Sequence, residues 1–331
     1  MQTNNMIASD RPFFDGFTIA SSLPEETVDI KKEYNPGCVL SCRRGCEESS
    51  VPKQITLDEY LDGGTEGKVF KVKSGGKDIP FAAKMFKKTS LRQKAKIQLL
   101  VSRNFKYPGI CYPSAWLSED RESDLCLGVL IPLAPKTDAL GSWAVQEADM
   151  SKRLIIADKL MSVFNFMNKK KFFTADFNEN NFLVSEDGSK LWAIDIDSCQ
   201  VENFPCPVAA PDKIFEHPLM IKEAFCNYTS YLRAPYEFAY GVCVMLFSVI
   251  FQKKPYLVQA QEPCIRKFAP ENIFAGEFLF RSENSRNSLW KSCPEGIRKM
   301  FESIFSKEGY FFENPKELVF EDLLKFYKWR L

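Results

Sequence analysis

The sequence predicts an α+β chain in which a small β-rich segment with one helix precedes a larger, mainly helical segment, and three observations carry that reading. Short β-type runs at 55–61, 67–74 and 80–86 are separated by Gly63-Gly64 and by Ser74-Gly75-Gly76, the punctuation of an antiparallel meander. Apolar residues recur at helical spacing over 90–105 and 151–168, and 238–251 is a long apolar run. The helical half also carries one hairpin, FLVSEDGSKLWAID, starting at Phe182. The chain has 331 residues, 45 % of them hydrophobic and 29 of them Phe. At about 100–200 residues per domain, that is one large two-lobed domain or two ordinary ones with a sizeable core.

In chain order, residues 1–54 are polar and turn-rich and read as an N-terminal extension. The meander follows from Ile55. Over 90–105, Leu91, Ala95, Gln98/Leu99 and Ser102 share one helical face, with no Pro or Gly to interrupt it. Further strands are expected at 110–117 and 125–133, the second ended by Pro132 and Pro135. Over 151–168, Leu154, Met161 and Phe164 mark a helix whose apolar stripe Ile155, Leu160 and Met167 widen. In the hairpin, Asp187-Gly188 supplies a pair of positive-φ turn residues. The run FAYGVCVMLFSVIF, 238–251, is shorter than the roughly 18–20 residues that cross hydrocarbon. It reads as a helix buried on all sides.

Composition removes several functions. With 44 basic and 43 acidic side chains the net charge is +1, so no global field holds nucleic acid or an anionic membrane. His217 is the single histidine, which excludes HExxH and two-histidine metal sites within one chain. The 11 cysteines are scattered and no signal peptide is visible, which suits reduced thiols and a cytoplasmic location. Cys38, Cys42 and Cys46, four apart, would lie on one helical face for zinc or an iron–sulfur cluster, but no fourth ligand is nearby; buried or free thiols are the plainer reading. Lys87, Lys88, Arg92, Lys94, Lys96, Arg103 and Lys106 surround the 90–105 helix without an acid. They form a solvated basic face or a dock for an acidic partner.

The chemistry concentrates at the hairpin. Asp176 and Asn181 precede it and Asp195 ends it, so a short hairpin brings two carboxylates and an amide oxygen to one end, a donor set for Mg²⁺ or Mn²⁺ with water and phosphate oxygens completing the shell. Gly64-Thr-Glu-Gly67-Lys-Val69 lies between two strands, where missing side chains let backbone N–H groups approach phosphates. Lys84 follows on the next strand. A strand lysine facing a pair of acids is what phosphoryl transfer needs.

With these residues in place, the sequence over about 55–331 resembles the protein kinase superfamily. The resemblance makes Gly64-Thr-Glu-Gly67-Lys-Val69 the glycine-rich loop, so that Gly64, Gly67 and Val69 bind ATP, and Lys84 the strand lysine on its α/β phosphates. Asp176 matches the catalytic-loop aspartate, Asn181 its metal-binding asparagine, and Asp195 the metal-binding aspartate of DFG. Residues 107–134 look like the β4-hinge-β5 stretch of bacterial kinase-like proteins, including those joined to helix-hairpin-helix DNA-binding modules. Helix 238–251 looks like helix F. The implied fold is bilobal, with a small antiparallel lobe at about 55–134 and a larger helical lobe at about 135–331.

The departures are specific. The loop's first glycine is Asp62, HRD is Thr174-Ala175-Asp176, and 199–217 contains no Ser, Thr or Tyr, which argues against switching by loop phosphorylation. No acid lies between Lys84 and Glu119, and counting back from Tyr107-Pro108-Gly109-Ile110 puts Gln98 where the helix C glutamate belongs. Glutamine orients a lysine without neutralising it. His217-Pro218 and Asn314-Pro315 stand where the family's APE glutamate and its arginine partner are expected. The DFG glycine is Asp197, a third carboxylate near the metal, and Asn178 replaces the lysine usual in Ser/Thr kinases. The resemblance implies ATP- and Mg²⁺-dependent transfer to Ser/Thr of a protein substrate. A pseudokinase scaffold and a small-molecule kinase remain the alternatives.

Overall fold

The computed structural model describes residues 26–44, 51–64, 66–135, 137–174, 176–206, 215, 231–255, 288–306 and 308–327. They fall into two compact units, one within 20–137 and 192–197, the other within 138–191 and 198–331.

The first unit is a closed antiparallel barrel with one helix. Its strands are β2 (Val39–Arg43), β3 (Gln54–Gly63), β4 (Gly67–Ser74), β5 (Lys77–Phe86), β7 (Ala115–Ser118) and β8 (Gly128–Pro132), in the order β2-β3-β4-β5-β8-β7. Two short strands, β1 (Val28–Asp29) and β6 (Lys88–Thr89), pair beside it. The pairing explains the core. Leu40 faces Ile55, Leu57 faces Val72, Phe70 faces Ala83, Leu130 faces both Ala83 and Ala115, and Leu117 faces Cys42. Because side chains alternate along a strand, these positions line one interior, and all of them are buried in a single cluster.

Two expectations change here. The composition of 1–54 predicts an extension, but β2 closes the barrel, and Leu40 is only 1 % exposed; the strand is five residues long and polar turn residues flank it. The small antiparallel sheet is accordingly a closed barrel. The same strand removes the helical cysteine face: Cys42 lies within β2, Cys38 just before it and in no helix, and Cys46 is outside the described residues. Helix α1 (Leu91–Arg103) begins at Ser90, whose Oγ accepts from the N–H of Gln93. It buries Lys96, Ile97, Leu100 and Val101, while Leu91, Gln98 and Ser102 are exposed. The face predicted from Leu91 and Gln98 is therefore the wrong one. Its basic surface is partly neutralised from within the unit, since Lys94 pairs with Asp124 and nearby Lys88 with Asp29 at 3.4 Å.

Beyond β9 (Thr137–Ala139), the second unit contains α2 (Leu140–Gln146), α3 (Met150–Lys170), the paired strands β10 (Phe172–Phe173) and β13 (Gln200–Val201), and β11 (Phe182–Ser185), while β12 (Leu191–Ala193), the next strand in the chain, runs into the 192–197 segment of the first unit. Then come α4 (Pro235–Phe251), α5 (Ser288–Ser292), α6 (Glu295–Phe305), α7 (Tyr310–Glu313) and α8 (Phe320–Tyr327). As expected from its composition, α4 is buried from Phe238 to Phe251 without a polar face. At its start the Glu237 carboxylate accepts from the N–H of Ala234 at 2.6 Å. At its end the buried Arg153 of α3 donates to the carbonyl of Ile250 at 2.7 Å, a cation satisfying a helix C-terminus. Rings of Phe247, Phe251, Phe301 and Phe305 pack edge-on and stacked between α4 and α6. Among the described residues no helix is long and apolar enough to cross a membrane.

The hairpin turn differs from its prediction. Gly188 has φ +66°, but Asp187 keeps ordinary φ. Its carboxylate instead accepts from the Ser189 N–H at 3.0 Å and from the hydroxyls of Ser185 and Ser189. Those three donors hold it well below the usual carboxylate range. An aspartate that bonds its own turn replaces the second positive-φ residue.

Candidate functional site

In the barrel unit, β5 is buried on both faces from Ala82 to Phe86. Ala83 and Met85 fill the interior, so alternation puts Lys84 on the outer face, with Val69 of β4 and Val129 of β8 directly across from it. Its ammonium meets three carboxylates. Nζ lies 2.9 Å from Asp195 Oδ1, 3.2 and 3.0 Å from Asp197 Oδ1 and Oδ2, and 3.3 Å from Glu66 Oε2. Burial alone would lower the pKa of Lys84, but Asp197, Asp195 and Glu66 outweigh it and the net shift is upward. The carboxyl of Asp195 is also raised, by burial first and by the neighbouring Asp197 charge, against the pull of Lys84. Three carboxylates around one ammonium leave negative charge uncompensated, and a divalent cation matches that excess. Among the described residues no three His, Cys, Asp or Glu are grouped as metal ligands. A cation held here would take one or two side chains and complete its shell with water or phosphate oxygens.

The geometry that sets these acids on one amine is local. Asp195 is a non-glycine residue at φ +58° and Ile196–Ser198 is a turn of 3₁₀ helix. Aspartate tolerates the left-handed region better than most residues. Asp195 and Asp197 thereby reach Lys84 from one short segment.

Next to Lys84 lies the glycine turn. Gly67 pairs with Phe86, and a Cβ there would stand 2.1 Å from the carbonyl oxygen of Met85. Only glycine lets β4 approach β5 this closely. A Cβ on Gly64 would meet nothing within 4 Å, and the Gly64 N–H donates to the Gly67 carbonyl at 3.0 Å. Asp62, where the family has glycine, uses its carboxylate to accept from the Gly63 N–H at 2.7 Å. Gln98, expected to orient Lys84, is exposed on α1.

In the helical unit, Asn181 donates through Nδ2 to Asp176 Oδ2 at 3.0 Å and to the Asp176 carbonyl at 3.3 Å. Its amide nitrogen is thereby engaged, and Oδ1 is the atom it offers a cation. Thr174 Oγ1 donates to the same carbonyl at 3.2 Å, and Glu179 is held by Lys254 at 2.6 Å. Asn178 caps the short 3₁₀ turn Glu179–Asn181 by accepting from the Asn180 N–H at 3.0 Å. Phe177, adjacent to Asp176, is buried among Phe164, Phe215 and Phe238, with centroids 6.1, 5.7 and 6.0 Å away. It seats in a notch on α4: a Cβ on Gly241 would come 2.2 Å from its ring. Helix α4 thus fixes the loop that carries Asp176.

The structure therefore joins Lys84 to Asp195 in one unit and Asp176 to Asn181 in the other, with Val69 paired across from Lys84, Gly67 across from Phe86, and the Gly64 carbonyl accepting from Lys87. Sequence reasoning missed Glu66 and Asp197 as partners of Lys84. It also missed Gly241, whose signal was a glycine inside an otherwise bulky apolar helix. His217 and Pro218 lie outside the described residues, as does most of 199–217.

No family model matches the chain, and neither does any curated protein sequence. Among solved structures it is similar to the kinase PK-1 of the Cydia pomonella granulovirus, with a TM-score of 0.55 and 12 % identity over 82 % of this chain and 93 % of that one. At that identity the likeness speaks for architecture, and the chain has a protein kinase-like fold.

Proposed function

We propose that the chain is an ATP- and Mg²⁺-dependent kinase that transfers phosphate to Ser or Thr hydroxyls of a protein. The observation that carries this reading is the buried Lys84 held 2.9 Å from Asp195, on a kinase-like fold, with Asp176 tied to Asn181 in the second unit. Lys84 would bind the α/β phosphates beside Gly64, Gly67 and Val69. Asp195 in the one unit and the Oδ1 of Asn181 in the other are each a candidate ligand for Mg²⁺, a metal that would supply neutralisation of phosphate charge. Asp176, fixed by Asn181 and by Phe177, would orient the acceptor hydroxyl and take its proton. Positioning and electrostatics do most of such a reaction. The absence of Ser, Thr and Tyr from 199–217 supports activity without loop phosphorylation.

A pseudokinase is the second reading, and one observation favours it: Glu66 and Asp197 already occupy Lys84, so phosphates must displace Glu66 to reach it. Labelled-ATP transfer to the protein itself and to a generic protein substrate separates the two. Asp176→Ala is expected to lose about 10²–10⁴-fold in rate, the usual worth of a positioned proton acceptor, and Asp195→Ala to lose transfer as well. Label equal to wild type in Asp176→Ala would sink catalysis at this site.

A further inference from the structure

We propose that Asp197 is the positioning residue of Lys84, holding the lysine from the segment after β12 with no side chain of α1 involved. The catalytic consequence rests on the kinase reading above; the pairing itself does not.

The three acids around Lys84 are not equivalent. The side chains of Lys84 and Asp197 are 6 % and 7 % exposed, and both carboxylate oxygens of Asp197 lie within hydrogen-bond reach. Asp195 is 36 % exposed and Glu66 45 %, and each touches the amine through one oxygen. A buried ammonium without a counter-ion is costly, and removing one partner of a buried pair costs far more than never building it. Asp197 is the partner that stays when nucleotide and metal arrive. Asp195 can turn to a cation, and Glu66 can leave with the glycine turn, without stranding the lysine. The left-handed Asp195 and the 3₁₀ turn Ile196–Ser198 make this division possible within three residues.

Helix α1 is excluded from the task by its own packing. Its buried side chains are Lys96, Ile97, Leu100 and Val101, Gln98 is exposed, and no acid occurs between Lys84 and Glu119. The lysine and its counter-ion are thus joined directly, with no side chain of α1 in their contact. This chain keeps its phosphate-binding lysine oriented whether or not α1 is held by a partner.

The test has two parts, so that the pairing and the kinase reading fail separately. First, urea midpoints of nucleotide-free wild type, Lys84→Met, Asp197→Asn and the double variant form a cycle that needs neither ATP nor catalysis. Each single variant is expected to lower the midpoint, and the double variant to lower it by clearly less than the two losses added. If Asp197→Asn alone does not fold, a folded double variant is the same result in stronger form. Additive losses overturn the pairing. Second, ATP affinity is measured with EDTA and then with Mg²⁺. Asp197→Asn is expected to weaken metal-free binding about tenfold or more, equivalent to about 1.4 kcal/mol. The effect of Asp195→Asn should appear mainly with Mg²⁺, and Gln98→Ala should bind as wild type. Asp197→Asn with unchanged metal-free affinity and a loss confined to Mg²⁺ would make Asp197 a metal ligand and overturn the positioning role. A cycle that shows coupling in a protein that binds no nucleotide would leave the pair standing and remove the kinase reading instead.

Discussion

Gly241 shows how much one missing carbon does in this chain. The Phe177 ring lies where its Cβ would be, at 2.2 Å, and Phe177 is the neighbour of Asp176. Gly241→Ala must push Phe177 out of its notch, an overpacking cost of about 1–3 kcal/mol. It is expected to lower transfer more than ATP affinity, because Asp176 moves while Lys84 belongs to the other unit. Steady-state kinetics with varied ATP check this: a fall in kcat at nearly constant KM is the expected result, and unchanged kcat would show that the notch does not position the loop. At this scale the sequence was legible where two residues lie close along the chain, as for Asp176 and Asn181, five residues on, which meet. It was not legible where a role depends on backbone direction. That the Asp197 carboxylate meets Lys84 depends on the backbone path through Asp195 and the 3₁₀ turn after it, which no spacing encodes. Glu66 was read as part of a phosphate-binding turn, and nothing in the turn's composition says that its carboxylate reaches back to the lysine.

Among the elements, β2 carries the most weight relative to its length. It pairs with both β3 and β7, so it closes the barrel, and Leu40 and Cys42 enter the core from it. Leu40→Ala is expected to destabilise the protein by about 2–5 kcal/mol, the usual cost of emptying a leucine site. Urea unfolding reads this, and a loss below about 1 kcal/mol would mean that the barrel does not depend on its closing strand. Strands β3, β4 and β5 were visible because glycine pairs punctuate them and their apolar residues alternate. Strand β2 has neither sign. Helix α1 was visible as a helix but not by its face: its buried side includes Lys96, and a buried lysine defeats a reading based on apolar spacing. The apolar run 238–251 of α4 allowed no such error, since every side of it is buried.

For the whole molecule, burial sets the response to alkali. Burial pushes the thiols of Cys42, Cys111, Cys126 and Cys293 up to about 12 from an ordinary 9.0, and it raises the phenols of Tyr34 and Tyr231 as well. The folded chain keeps these protons while the unfolded chain releases them first, so the stability they contribute is complete below about pH 9 and is lost as pH rises toward 12. The urea midpoint is expected to fall between pH 8 and about pH 10.5, and a midpoint that holds or rises over that range would contradict the burial of these groups. The same fold of two units, a barrel carrying Lys84 and a helical unit carrying Asp176, makes one functional claim testable on the intact chain. Thermal unfolding followed with and without ATP and Mg²⁺, on wild type and on Lys84→Met, tests it most directly. Nucleotide is expected to raise the midpoint of wild type by several degrees at 100-fold excess over Kd, where linkage is worth about 2.7 kcal/mol, and to leave Lys84→Met unmoved. An equal shift in both proteins, or none in wild type, would contradict the assignment of Lys84 as the phosphate-binding residue of a nucleotide site.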